Sequence, residues 1–156
     1  MKYSTLKLGE ILVKDGAMTE ESLRKALKEQ KDSGKRIGEI LIKGKYITEK
    51  HLIASLSSQL AIDYIDLDTI KLDPKLSEYV PESIAKKNII VPIEKNGKIL
   101  KLAVADPLNY NIINDVGNYS KLTIQIVIAE QEKIEKKIYE LYVSKKAFAA
   151  AQELSR

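Results

Sequence analysis

A 24-residue segment of this chain occurs twice, 29 residues apart, and a duplication of that size restricts the fold to one with internal pseudo-symmetry. The copies run from Lys7 to Gln30 and from Arg36 to Gln59. Ten positions are identical, among them Gly9/Gly38, Glu10/Glu39, Leu12/Leu41, Thr19/Thr48, Leu23/Leu52, Leu27/Leu56 and Gln30/Gln59. Lys7/Arg36 and Leu8/Ile37 are conservative pairs. Each copy carries two apolar stripes at helical spacing. Leu8, Ile11 and Leu12 form the first, matched by Ile37, Ile40 and Leu41. Leu23, Ala26, Leu27 and Gln30 form the second, matched by Leu52, Leu56 and Gln59. Thr19 and Thr48 have the chemistry of helix N-caps, each followed by Glu in the first turn. Gly16 and Gly44 break the pattern between helices. The unit therefore reads as a short helix, a turn and a longer helix, with Ser33-Gly34 linking the two copies.

From about residue 61 the pattern changes. Ile62–Leu67 predicts a short strand, and Asp73–Tyr79 and Glu82–Lys87 predict short helices with Pro74 and Pro81 near their starts. Ile89–Glu94 and Lys98–Val104 are β-rich runs on either side of Asn96-Gly97, a hairpin signal. Asn111–Asn118 predicts a helix, Thr123–Ala129 a strand, and Gln131–Tyr142 a closing helix. The fold class expected is α+β: a helical tandem-motif subdomain over residues 1–60, then a small, mostly antiparallel α/β subdomain over 61–143. Residues 144–156 are helix-permissive and read as a linker to a downstream domain.

Composition narrows the function. A net charge of +4 with lysines scattered among glutamates fits a solvated surface and argues against a nucleic-acid polymer as partner. Without cysteine, disulfides and thiolate metal sites are excluded. No apolar run approaches the ~20 residues that cross a bilayer, and the first residues lack the apolar core of a signal peptide. The expected place is the cytoplasm, without direct membrane insertion. His51 is the sole histidine and has no nucleophile or metal-ligand pattern around it. Neither a G-x-x-x-x-G-K-[ST] loop nor G-x-G-x-x-G occurs. The expectation is a binding domain and not an enzyme.

The repeat carries more chemistry. A glycine at the start of a short helix lets backbone approach a ligand closely, and free N–H groups there suit a phosphate. A neighbouring arginine stacks on a base or pairs with a guanine edge. Leu23 and Leu27 could floor a base, and Gln30, one turn on, could bond its edge. Alternatively, Gly9 and Gly38 are packing glycines, the leucines are core and the glutamines are caps. Two similar half-sites suit a ligand with its own two-fold symmetry.

The paired motifs, five residues apart, resemble those of the N-terminal cyclic-di-GMP-binding domain of bacterial type II secretion and type IV pilus assembly ATPases. The stretch Leu102–Val116, with its Ala-x-x-Asp-Pro-like segment, and the Ile134-x3-Ile138-Tyr139 helix are similar too. The resemblance implies one cyclic-di-GMP gripped by both motifs. The implied contacts are Lys7, Leu8, Gly9, Leu23, Leu27 and Gln30 from the first motif. Arg36, Ile37, Gly38, Leu52, Leu56 and Gln59 come from the second, and Glu39 and Asp106 contact guanine edges. The family pattern opens with Arg in both motifs, whereas the first here opens with Lys7, which carries charge without a stacking, forked guanidinium. The resemblance further implies regulation of the parent's own ATPase domain and attachment to an inner-membrane platform protein. The alternative it leaves open is a docking domain that attaches the motor to that platform without binding nucleotide.

Overall fold

Both threonines expected as caps do that work. In the computed structural model, which describes residues 2–154, Thr19 accepts from the Ser22 N–H and Thr48 from the His51 N–H, each at 3.1 Å. They start α2 (Glu20–Ser33) and α4 (Glu49–Leu60). The shorter partners are α1 (Lys2–Lys14) and α3 (Ile37–Lys43). These four helices make up a first compact unit, Met1–Ile62; a second spans Asp63–Arg156.

In the first unit the duplication is reproduced at the level of single hydrogen bonds. Asp15 N–H donates to the Ile11 carbonyl at 2.9 Å, and Gly44 N–H, 29 residues on, to the Ile40 carbonyl at 2.8 Å. Ala17 and Tyr46 both bond to the carbonyl of the last fully buried leucine, Leu12 and Leu41, at 2.9 Å. The expected breaks at Gly16 and Gly44 are refined by this register. The left-handed residues are Gly16 (φ 76°) and its counterpart Lys45 (φ 59°), while Gly44 stays right-handed. The core stripes hold Leu8, Leu12, Met18 and Ala26 against Ile37, Leu41, Ile47, Leu52 and Leu56, all buried. One asymmetry departs from the expectation of two short helices. α1 continues upstream of its motif, so Gly9 lies mid-helix. α3 cannot extend upstream, because Gly34 takes a left-handed cap (φ 70°) and Arg36 is extended.

The second unit contains α5 (Glu82–Asn88), β1 (Ile90–Asn96), β2 (Ile99–Val104), α6 (Tyr110–Ser120), β3 (Thr123–Ile128) and α7 (Gln131–Leu154). The class is α+β, and the sheet is mixed, in order β1-β2-β3. β1 and β2 are antiparallel; β2 and β3 are parallel, joined by the α6 crossover. The hairpin turn is Gly97-Lys98, since Asn96 pairs with Ile99. Only Gly97 of that pair has positive φ (61°), the pattern of a turn with glycine at its first central position. A bulge between Pro92 and Glu94 re-aims β1, so Ile90, Val91, Pro92 and Ile93 are all buried.

The strand expected at Ile62–Leu67 reduces to one bridge between Tyr64 and Ile128. Asp66 accepts from the Asp68 N–H and turns the chain into a 3-10 turn at Leu67–Thr69, away from the sheet. Pro74–Glu78 is likewise 3-10, capped by Asp73. Two lysines one turn apart on α7 hold this segment: Lys133 bonds Asp66 at 2.9 Å and Lys137 bonds the Ile70 carbonyl at 2.6 Å. Leu100, Leu102, Val104, Ile134, Ile138 and Leu141 anchor the core of this unit. The buried Tyr142 hydroxyl donates to the Val80 carbonyl. α7 does not stop at Tyr142 but runs on to Leu154.

Candidate functional site

The residues expected to bind ligand separate by environment. Leu8, Ile37, Leu52 and Leu56 are buried in the first unit's core, and Lys7, Leu23, Leu27 and Gln30 are half-buried. Arg36 and Gln59 are exposed. Asp106 belongs to the second unit, where it is exposed in the loop after β2 and accepts from the Leu108 N–H at 3.0 Å.

The two glycines are not equivalent. A Cβ on Gly9 would lie 2.6 and 2.9 Å from the two methyl carbons of Leu23, so Gly9 is where α1 and α2 pack. A Cβ on Gly38 would meet nothing within 4 Å. A side chain at Gly38 would therefore meet no packed neighbour, whereas one at Gly9 would. The backbone N–H of Gly9 is mid-helix, which removes the free donors expected there; first-turn donors remain only beside Gly38.

Charge is distributed unevenly. Residues 1–62 contain twelve Lys and Arg against eight Asp and Glu, and residues 63–156 fourteen against fourteen, so the whole surplus of +4 lies in the duplicated unit. That bias suits an anionic ligand. Glu39 is engaged with Lys43 at 2.8 Å, and this bond holds its carboxyl below the usual value. Glu39 also borders an open groove of about 490 Å³, whose other walls include Glu29, Asp32, Lys35, Ile40 and Lys43. None of the other predicted contacts lines that groove.

Sequence reading missed one cluster. Gln59 Nε2 donates to Asp15 Oδ1 at 3.0 Å, bringing the turn of the first motif to the end of the second. Ser55 adjoins this carboxylate. Its hydroxyl, 1 % exposed, forms no bond of good geometry, yet it is near enough to lead the causes that lower the Asp15 carboxyl, ahead of Gln59. Nothing in the repeat signals this: Asp15 aligns with Gly44 and Ser55 with Ala26. Among the described residues no group of three or more His, Cys, Asp or Glu is arranged to hold a metal, and no helix is long and apolar enough to cross a membrane.

Known proteins share this architecture. The N-terminal domain of XpsE matches with a TM-score of 0.70 at 14 % identity, covering 87 % of this chain and 94 % of that one, a likeness of fold. The structure of MshE with cyclic-di-GMP matches with a TM-score of 0.74 at 29 % identity, covering 86 % of this chain and 98 % of that one. The MshEN domain profile matches residues 60–147, and the chain belongs to the MshEN domain family. That profile match covers most of the second unit; the MshE match covers most of both. The type IV pilus assembly ATPase PilB of Myxococcus xanthus is 33 % identical over 139 residues, 89 % of this chain and 25 % of that protein. PilB of Pseudomonas aeruginosa is 28 % identical over 93 residues, 59 % of this chain and 16 % of that protein. The chain thus spans a quarter or less of the length of these relatives. The matched region is an MshEN domain, with the fold of the N-terminal domain of XpsE.

Proposed function

We propose that this chain is a cytoplasmic regulatory domain that binds one cyclic-di-GMP through its two motifs and thereby tunes a pilus assembly or secretion motor. The observation that carries the reading is the duplicated helical unit, whose main turn hydrogen bonds recur 29 residues on, in a chain 29 % identical to an MshE solved with cyclic-di-GMP. The +4 surplus confined to that unit and the unfilled space over Gly38 support it. In this reading residues 1–60 hold the ligand, with Lys7, Leu8, Gly9, Leu23, Leu27 and Gln30 facing one half and Arg36, Ile37, Gly38, Glu39, Leu52, Leu56 and Gln59 the other. Residues 144–156 lead toward the parent's ATPase domain, and the assembled motor sits on an inner-membrane platform protein.

Because the motifs share one two-fold ligand, titration calorimetry is expected to give one cyclic-di-GMP per chain. Two independent sites, or equal affinity for cyclic-di-AMP, would refute the shared site, since adenine lacks guanine's O6 acceptor. One observation favours the rival docking reading: Leu23 already fills the space over Gly9. Absence of binding at millimolar nucleotide would leave the duplicated unit as a protein-docking scaffold.

A further inference from the structure

The amide of Gln59 has a fixed direction. Its Nε2 donates to Asp15 Oδ1 across a sequence separation of 44 residues. A carboxylate only accepts hydrogen bonds, so the NH2 end of the amide must face Asp15. The Oε1 end then points elsewhere, with its lone pairs available to a ligand, and Gln59 itself is exposed. Ser55, a buried residue of α4, adjoins the same carboxylate. The restraint exists in one motif only. The counterpart of Asp15 is Gly44, which has no side chain, so Gln30 is not oriented in this way.

We propose that Asp15 is a positioning residue: by holding the Gln59 amide nitrogen toward its own carboxylate, it makes the second half-site an acceptor that selects a purine edge rich in N–H donors. Guanine offers such an edge at N1 and the 2-amino group; adenine places an acceptor at N1. The inference rests on the cyclic-di-GMP reading and adds a residue outside the repeat's matched positions. It makes the half-sites chemically unequal, with base selection concentrated in the second.

Asp15→Asn separates this role from simple electrostatics. Removing a negative charge from a site for a dianion strengthens attraction, so electrostatics alone predicts tighter binding. Asparagine, however, can turn either end of its amide toward Gln59, and the orientation is lost. The experiment is titration calorimetry on the full chain with cyclic-di-GMP and with cyclic-di-IMP, whose base lacks the 2-amino donor. Asp15→Asn is expected to bind cyclic-di-GMP about fivefold more weakly, the scale of one neutral hydrogen bond, and to lose much of the preference over cyclic-di-IMP. Asp15→Glu keeps an acceptor-only partner and is expected to retain that preference. Gln59→Leu supplies the same readout without touching Asp15 and is expected to erase the preference. Unaltered or tighter binding by Asp15→Asn with the preference intact overturns the positioning role alone. So does a preference that survives Gln59→Leu. A wild-type chain that binds neither nucleotide overturns the functional reading, and the inference with it.

Discussion

Replacing Gly38 by alanine is expected to stabilise the ligand-free chain while weakening its hold on ligand. Gly38 lies in the first turn of α3, and a Cβ there meets no heavy atom within 4 Å. The gain is therefore the helix-propensity difference, about 1 kcal/mol in a helix interior and roughly half that in a first turn. At about 2–4 °C per kcal/mol for a chain of this size, the melting temperature rises by about 1–2 °C. Valine gains less, because its branched Cβ loses rotamer freedom in a helix. Binding moves the other way if ligand fills the open space. The extra methyl then overpacks the complex, at a cost of about 1–3 kcal/mol, or about 5- to 150-fold in affinity. Gly9→Ala is the internal contrast. There the methyl falls 2.6 Å from a Leu23 carbon, about 1 Å inside ordinary contact distance. Leu23 must turn aside, and about 1–3 kcal/mol of overpacking outweighs or cancels the helix gain of about 1 kcal/mol. Scanning calorimetry without ligand and titration calorimetry with cyclic-di-GMP measure the two effects separately. A Gly38→Ala chain that melts lower, or that binds as tightly as wild type, would show that the space over Gly38 is not ligand space.

Arg36→Ala is expected to cost about 1–3 kcal/mol of cyclic-di-GMP binding, the worth of a forked Arg–guanine pair, and Lys7→Ala less. Lys7→Arg is expected to tighten binding with little change in ligand-free melting; silence at both positions in one buffer refutes contact by either. Lys45 occupies a left-handed position that its counterpart Gly16 fills without strain, so Lys45→Gly is expected to raise stability by about 1 kcal/mol in urea unfolding; a loss refutes the strain argument. Asp66 is held below the ordinary 3.8, first by its hydrogen bond to Lys133. A lowered carboxylate contributes stability above its unfolded pKa and loses it as pH falls through the folded value. Lys133 is raised, first by Asp66. Its contribution is full below the unfolded pKa of about 10.4, and lost as pH rises through the folded value. The second unit is thus expected to keep this tie from about pH 4 to about pH 10. Asp66→Asn is expected to flatten the acid limb of a melting-temperature profile; an unchanged limb refutes the assignment.

Much of this protein is legible in the chain alone, because its signals are local. The period of Leu8, Ile11 and Leu12, and of Leu23, Ala26 and Leu27, places each helix, and the hydroxyls of Thr19 and Thr48 place two starts within a single turn. The duplication predicts matched backbone hydrogen bonds 29 residues apart, since the same apolar stripes and threonine caps flank both turns, although residues 15–18 and 44–47 differ at every position. The α+β class follows from the change of period near residue 61. What the chain alone did not decide depends on groups distant in sequence. Ile62–Leu67 has the composition of a strand, yet it pairs at one residue, because Asp66 caps a turn and Lys133, 67 residues away, holds it there. Gly9 and Gly38 are identical in the repeat, but only packing reveals that Leu23 closes one and leaves the other open. The tie between Asp15 and Gln59 has no counterpart in the repeat and spans 44 residues. Local geometry is set by neighbours a turn away, whereas these contacts exist only once the helices are folded against one another, and there the equivalence of the two motifs ends.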